Sequence, residues 1–446
     1  MDRLRLFADL FFAGLAAALR LRFTGFPVGV GNQSLQIVFL EHLRNPAAFE
    51  GDLLLQTLPR FSTWFFHLLA RLIPAGTAIE EALALLQGLN LFLLFFLLSR
   101  LVRSLWPESR LPWLLLFPFV LSPLQGLAES PLNPLAFTHT SFSLTLSLLA
   151  LLFLLRRHWL PMAVCIGLLG SFHLLTAAYT AAIAGMYLLM IRDTLRLRDL
   201  LPAAAAGALA ALPALPFLLD RSATFDSVWL NLLEIRSAHH IYPSLWWRTG
   251  DPAIGQFLLW TALLLLGLGA GLEPKSRPLL SACLYSAALL MALGWIGSEL
   301  LPTPLILRAQ LFRASGYLLL AALLVLTQGC ERLLRSPNPA ALAAALLLLL
   351  CFSLPALLGF RLLLLLLTAW GLWCCRKLPP PAAAGLAAVL LITTLSDLTL
   401  QTRFWNPSPP PRQALLPTPA PRTRTLDPWT DIQQQTRALT AENALI

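Results

Sequence analysis

Charge is what this sequence has least of. Asp, Glu, Lys and Arg make up 12% of its 446 residues, while 57% are hydrophobic. A soluble globular domain carries roughly a quarter charged residues. With a mean hydropathy of +0.72, too little polar surface is left to face water. These shortages exclude a soluble enzyme, and equally a disordered or fibrous chain. Lipid must solvate most of the surface. Cysteine is scarce as well: Cys165, Cys283, Cys330, Cys351, Cys374 and Cys375 sit in or at the ends of apolar segments, without metal-ligand spacing. That argues against a disulfide framework. The vicinal Cys374-Cys375 pair reads as a helix end, with a redox role as the second reading. Walker loop, HExxH, GxSxG and Cys-His metal patterns are missing, which disfavours nucleotide-driven pumping by this chain alone.

The charge that is present leans basic, with 32 Lys+Arg against 22 Asp+Glu and a net charge of +10. Nucleic-acid binders gather such residues on one face or stripe. Here the arginines recur in small groups between apolar runs, as the positive-inside rule produces. Nucleic acid is therefore not an expected partner; the lipid bilayer is.

Apolar runs long enough to cross a bilayer as helices fall at 6–21, 80–101, 112–127, 139–155, 159–171, 173–191, 200–219, 254–272, 279–297, 315–330, 338–353, 356–374 and 382–400. The expectation is an all-α polytopic integral membrane protein with about thirteen transmembrane helices. Prolines 118, 123, 213 and 216 interrupt several runs. Buried membrane helices tolerate such breaks when neighbours satisfy the freed backbone groups.

The arginines orient the bundle. Arg3 and Arg5 precede the first span, and Arg100, Arg103 and Arg110 follow the second. Arg156-Arg157, then Arg192, Arg196 and Arg198, then Lys275 and Arg277 mark later turns, followed by Arg332 and Arg335 and by Arg376 and Lys377. Every second connection is short and basic, which puts these turns and the N-terminus in the cytoplasm. The connections 22–79, 128–138, 220–253 and 298–314, and the tail after 400, face outward. The stretch 61–74 contains His67 and Arg71. Counted as a span it would flip every later basic turn, so it reads as an interfacial amphipathic helix. Arg3, Arg5 and Ala16-Ala17-Ala18 also fit a signal-peptide pattern; an uncleaved first helix is the preferred reading, and the orientation is the same either way.

Residues 1–400 thus form the bundle, and 401–446 an outward tail. The tail is rich in Pro and Arg through Arg424, then reads as a capped helix start around Asp427 to Thr430. A piece this short holds no core of its own. The expectation is that it begins a soluble domain that the chain leaves truncated.

The first outward loop carries the first candidates for chemistry. A turn at Gly29 to Ser34 leads into Leu35 to Leu43, spaced as a surface helix, and Asn45-Pro46 ends it. Glu41, Glu50 and Asp52 lie on this helix and just after it. An outward carboxylate near lipid has its pKa tuned by its surroundings and suits a base or metal ligand; plain solvated loop charges are the alternative. Loop 220–253 holds His239, His240, Tyr242, Trp246, Trp247 and Arg248. Aromatics beside cations suit sugar stacking or phosphate binding, and equally an interfacial belt. Arg308 and Arg313 flank the outer end of a span, and Arg361 lies inside an apolar run. Buried ionisable residues mark functional positions. Glu299, Glu129 or a membrane phosphate are their candidate partners, and snorkelling is the alternative. His139 and His173, near outer helix ends, read as structural histidines.

This layout resembles the GT-C superfamily of membrane glycosyltransferases. The matching features are a cytoplasmic N-terminus, a large first outward loop with surface helices and acidic residues, about thirteen spans and an outward C-terminal segment. Gly31-Asn32-Gln33-Ser34, Phe49-Glu50-Gly51-Asp52, Ser171-Phe172-His173-Leu174, Ser237-Ala238-His239-His240-Ile241-Tyr242-Pro243 and Leu307-Arg308-Ala309-Gln310-Leu311-Phe312-Arg313 resemble, more narrowly, a family of uncharacterised bacterial multispanning proteins of this type. The resemblance implies transfer of a sugar from a polyprenyl-phosphate carrier at the outer face of the bacterial cytoplasmic membrane. Asp52, with Glu50 and Glu41 behind it, would be base or metal ligand, with a divalent cation (magnesium or manganese) as candidate cofactor. Arg308 and Arg313 would hold the lipid phosphate. The sequence departs from the superfamily in lacking an adjacent acidic pair in the first loop and a Trp-Trp-Asp signature in the tail. The rival readings are a transporter or flippase of lipid-linked saccharides, with Arg361 and the outward histidines on its path, and a non-catalytic envelope protein. Inverted repeats, which often betray transporters, are not evident.

Overall fold

The chain divides into two units, Met1–Leu398 and Thr399–Ile446, and everything below belongs to the first. The computed structural model describes residues 2–216, apart from 28, 31, 48–51, 53–54, 56–63, 75 and 122–123. It then describes 233, 237, 239–249, 252–269, 274–335, 337, 345–346 and 348–349. The expected spans at 356–374 and 382–400, most of that at 338–353, and the tail from 401 lie outside these residues.

The described residues are mostly α-helical. In chain order the helices are α1 (Asp2–Thr24), α2 (Gln33–Arg44), α3 (Trp64–Leu72), α4 (Ile79–Leu105), α5 (Leu116–Leu121), α6 (His139–Leu155), α7 (Trp159–Phe172), α8 (Leu174–Met190), α9 (Leu197–Ala211), α10 (Pro243–Thr249), α11 (Pro252–Gly269), α12 (Arg277–Trp295), α13 (Pro304–Ala309) and α14 (Ser315–Leu334). Two-residue strands, β1 (Gln125–Gly126) and β2 (Ser130–Pro131), form a minimal antiparallel hairpin. Among the described residues, three stretches are long and apolar enough to cross a membrane: Ile79–Leu105, Arg277–Leu300 and Pro304–Leu334. Large apolar side chains such as Leu4, Phe7, Leu85 and Leu209 are exposed on the outer surface of the bundle. Soluble monomers rarely expose such surface.

The first helix is inverted relative to a soluble amphipathic one. Its buried positions include Asp9, Ala13, Ala16, Ala17 and Arg20, while Leu4, Phe7, Phe11, Leu15 and Phe23 are exposed. Small residues let α4 pack closely, and Asp9 accepts hydrogen bonds from Arg103 Nε at 2.8 Å and Arg100 Nη1 at 3.3 Å. Of the basic residues expected on one side, Arg3, Arg5, Arg100, Arg103 and Arg156 line one recess. Arg20 lies about 25 Å further along α1 at 1.5 Å per residue.

Segment 112–127, expected as one span, is a broken helix. A 3-10 turn (Pro112–Leu115) leads into the six residues of α5, then into β1. It still runs the length of α14. At one end the Arg110 N–H donates to Glu331; at the other, Gly126 abuts Ser315 and Gly316. Residue 123 is a proline and has no N–H for the carbonyl of Phe119, so Asn133 Nδ2 donates there instead, at 2.8 Å. The Leu124 N–H donates to Asn133 Oδ1 at 2.9 Å, which leaves the Val120 carbonyl open, and Arg20 Nη1 fills it at 3.1 Å. Buried backbone at membrane depth requires such substitutes.

The stretch 61–74 holds the nine-residue α3, about 14 Å long and too short to cross a bilayer. It packs on α2 through Phe39, Phe65, Phe66 and Leu69. Helices α7 and α9 meet backbone to backbone through Ala163, Gly167 and Gly207: a Cβ on Gly167 would stand 2.2 Å from the Gly207 carbonyl oxygen. Small residues drive such contacts where lipid removes the hydrophobic incentive for association. The α6–α7 turn closes with Arg157 in the left-handed region (φ 59°), the His158 N–H on the Phe153 carbonyl and the Arg157 N–H on that of Leu154. That pattern is a Schellman cap.

Candidate functional site

At the end of the bundle away from the arginine recess, the broken helix, the hairpin and the start of α6 enclose a cavity of about 470 Å3. Pockets of this size hold small-molecule ligands. Each wall has a local cause. Arg20 and Asn133 are already held by the backbone groups they satisfy. Arg20 is only 4% exposed, and its Nε is buried with no hydrogen-bond partner. Thr138 caps α6 in a reciprocal capping box with Ser141. The positive end of a 17-residue helix therefore borders the cavity.

Arg313 stands on the wall between this cavity and a smaller chamber of about 40 Å3, also lined by His173, Tyr179 and Tyr317. It follows Gln310, whose φ of 44° is left-handed, and its Nη1 donates to Gln310 Oε1 at 3.1 Å. The Tyr179 hydroxyl lies 2.7 and 2.9 Å from the carbonyl oxygens of Ala309 and Gln310 and so holds this turn. Ala128, in the turn between β1 and β2, is left-handed too (φ 56°). Strained residues persist only where their surroundings over-determine them, and they gather at functional sites. Gly126 and Gly316 seat the hairpin on α14: a Cβ on Gly126 would meet Ser315 Oγ at 2.7 Å, and one on Gly316 would meet Ser130 Oγ at 2.7 Å.

His240 completes the lining. Its Nδ1 is 2.9 Å from the Ala128 carbonyl oxygen. A carbonyl only accepts, so Nδ1 carries the proton and Nε2 is left as an acceptor. Burial first, then the Arg313 charge and His239, push its pKa down from 6.5 to about 4. The ring is neutral near pH 7. Among the described residues, the lining carries two guanidiniums, a neutral imidazole and hydroxyl and amide groups, and no carboxylate. That composition recognises an anion. Alongside runs a wholly apolar groove of about 280 Å3 between α1 and the broken helix, lined by Phe12, Leu19, Phe23, Trp113, Phe117 and Val120. Arg20 and Val120 join the two.

The residues expected from sequence divide. Arg313 and His240 line the cavity. The His239 ring lies 3.9 Å from that of His240, and its carbonyl accepts from Trp246 Nε1 at 2.8 Å. Trp246 is buried against Phe312, with ring centroids 5.0 Å apart, and supports the site from behind. Tyr242 accepts a backbone bond from Leu245. Arg308 is exposed on α13, outside the lining. Glu299 accepts from the Ser244 N–H at 2.8 Å, at the start of α10. Asp52 is exposed, its Oδ1 accepts the Leu55 N–H at 3.2 Å, and neither it nor the half-buried Glu41 lines the cavity. Glu50 and Arg361 lie outside the described residues.

His139 and His173 do have structural bonds, to Gln36 at 2.9 Å and to the Thr176 N–H at 3.2 Å. Their rings also lie 5.0 Å apart, and His173 borders the chamber. Sequence reasoning passed over Arg20 and Asn133. An arginine inside the first apolar run was the available signal. Among the described residues no group of three or more His, Cys, Asp or Glu could hold a metal ion. No family model, no curated protein and no solved structure matches the chain.

Proposed function

We propose that this chain is a membrane glycosyltransferase of GT-C type. In this reading it binds a polyprenyl-phosphate-linked sugar at the outer face of the cytoplasmic membrane and transfers the sugar to an acceptor hydroxyl. The observation that carries the reading is the cationic cavity beside an apolar groove, joined through Arg20 and Val120. A lipid phosphate has that pair of chemistries. The isoprenoid tail lies in the groove, and the phosphate meets the guanidiniums of Arg313 and Arg20, both of which line the cavity. In the transfer, the acceptor oxygen bonds to the anomeric carbon as the bond from that carbon to the phosphate oxygen breaks. The electron pair leaves with the polyprenyl phosphate, and the guanidiniums stabilise its growing charge. A base takes the hydroxyl proton. Asp52 is that base in the GT-C assignment. The described residues do not fit a divalent cation.

Transport of a lipid-linked saccharide is the rival. Beneath the chamber, however, Leu148, Leu151, Leu320 and Leu324 are almost fully buried in one apolar core. That favours a site entered from one side. The test is turnover of polyprenyl-phosphate-linked sugars by the purified chain, with Arg313→Gln, Arg308→Gln and Asp52→Asn. Arg313→Gln should weaken donor binding by about tenfold to a hundredfold, the cost of one charged hydrogen bond. Arg308→Gln should change little. Asp52→Asn should abolish turnover while donor binding persists. Full turnover by Asp52→Asn refutes the base, and donor binding indifferent to Arg313 refutes the site.

A further inference from the structure

We infer that the opposite end of the bundle carries a second anion site, which holds the phosphate headgroup of an anionic phospholipid. The recess there measures about 400 Å3 and is lined by Arg3, Arg5, Arg100, Arg103 and Arg156, with Leu6 beside them. Three separate stretches supply these arginines: the start of α1, the end of α4 and the α6–α7 turn. Like charges brought this close repel unless something neutralises them. Asp9 answers only Arg100 and Arg103. Arg3, Arg5 and Arg156 have no ion-pair partner among the described residues. A phosphate supplies the missing charge and accepts guanidinium donors in pairs.

The neighbouring surface selects a lipid source. On α1, next to the recess, Leu4, Phe7 and Phe11 are 74%, 67% and 55% exposed, a face that acyl chains cover. Basic pockets between membrane helices commonly take phospholipid headgroups. This site is about 25 Å along α1 from the Arg20 cavity and does not depend on the transferase reading.

The test uses the purified full chain in neutral detergent, with phosphatidylglycerol, phosphatidylcholine and inorganic phosphate as probes and retained lipid read by native mass spectrometry. Wild type should bind phosphatidylglycerol at least about tenfold more tightly than phosphatidylcholine. The triple variant Arg3→Gln/Arg5→Gln/Arg156→Gln, which leaves the Asp9 pairs intact, should lose that preference. Arg192→Gln/Arg198→Gln, exposed arginines each beside an aspartate, should keep it, and so should Arg313→Gln. Equal affinity of wild type for the two lipids overturns the proposal, and needs no variant. So does a preference that survives the triple substitution. If millimolar inorganic phosphate displaces phosphatidylglycerol completely, the occupant is a soluble anion and the lipid assignment is wrong.

Discussion

Arg20 and Val120 lie a hundred positions apart, and the guanidinium Nη1 of one donates to the carbonyl of the other at 3.1 Å. The same arginine lines the cavity, and its Nε is buried without a partner. One side chain therefore braces the broken helix and helps to charge the site. Arg20→Leu should destabilise the chain by about 1–3 kcal/mol, because the Val120 carbonyl is left buried and unpaired. Arg20→Lys should recover only part, since a point donor cannot reproduce the planar fork. Unfolding in detergent, followed by near-ultraviolet circular dichroism, measures both; an unchanged midpoint for Arg20→Leu would remove the bracing role.

Gly126→Ala should cost about 1–3 kcal/mol through overpacking, because the added carbon meets Ser315 Oγ at 2.7 Å and the Gly316 nitrogen at 3.0 Å. Gly185→Ala is the contrast. Nothing stands within 4 Å of that Cβ, and alanine favours helix by up to about 1 kcal/mol over glycine. Its melting temperature should hold or rise while that of Gly126→Ala falls.

Stability should fall as the pH drops from about 6.5 to about 4, with His240 as one source. Its folded pKa of about 4 lies below the ordinary 6.5. The unfolded chain therefore binds the proton first, and the contribution of the neutral ring is present above 6.5 and lost on the way down to 4. In a pH series of melting temperatures, His240→Gln should show a shallower decline than wild type across this window. Parallel curves would mean that His240 titrates normally in the fold.

Glu331 is buried near the end of α14 and accepts from the Ser109 hydroxyl, the N–H groups of Arg110 and Leu111, and Arg335. Glu331→Ala strips four donors of their acceptor and leaves Arg335 without its ion pair. A loss of about 3–5 kcal/mol is expected, among the larger single effects. Glu331→Gln keeps an acceptor and should lose less. Denaturant midpoints in detergent compare the two.

The legible part of the fold was what depends on local composition. Apolar runs located α4, α6, α8, α11, α12 and α14 to within a few residues. Proline and asparagine marked the break near residue 123 and the end of α2. The arginine groups were legible as one class, and the structure brings five arginines from three of those groups into one recess. What was not legible depended on contacts across the chain. Arg20, inside the first apolar run, was passed over because its partners Val120 and Asn133 are a hundred or more residues away. The buried hydroxyl cluster of Ser147, Thr180 and Tyr317, with oxygens 2.8 to 3.0 Å apart, comes from three helices, and each member alone reads as an ordinary core residue. At the candidate site, Arg313 and His240 were found because charge is rare in this sequence. Asp52 and Arg308 attracted attention for the same reason, yet lie outside the cavity. Scarcity of charge marks candidates but does not say which of them converge.

The inverted character of α1 sets an order of events during synthesis. This helix leaves the ribosome before the elements it packs against, yet Asp9 and Arg20 are both buried and are costly in lipid on their own. The arginines that neutralise Asp9 are made about ninety residues later, and the groups that receive Arg20 later still, at Val120 and Asn133. Helix α1 must therefore wait, snorkelling at the membrane edge or sheltered by the insertion machinery, until the segment through Asn133 has been translated. Its final burial belongs to the assembly of the bundle rather than to its own insertion.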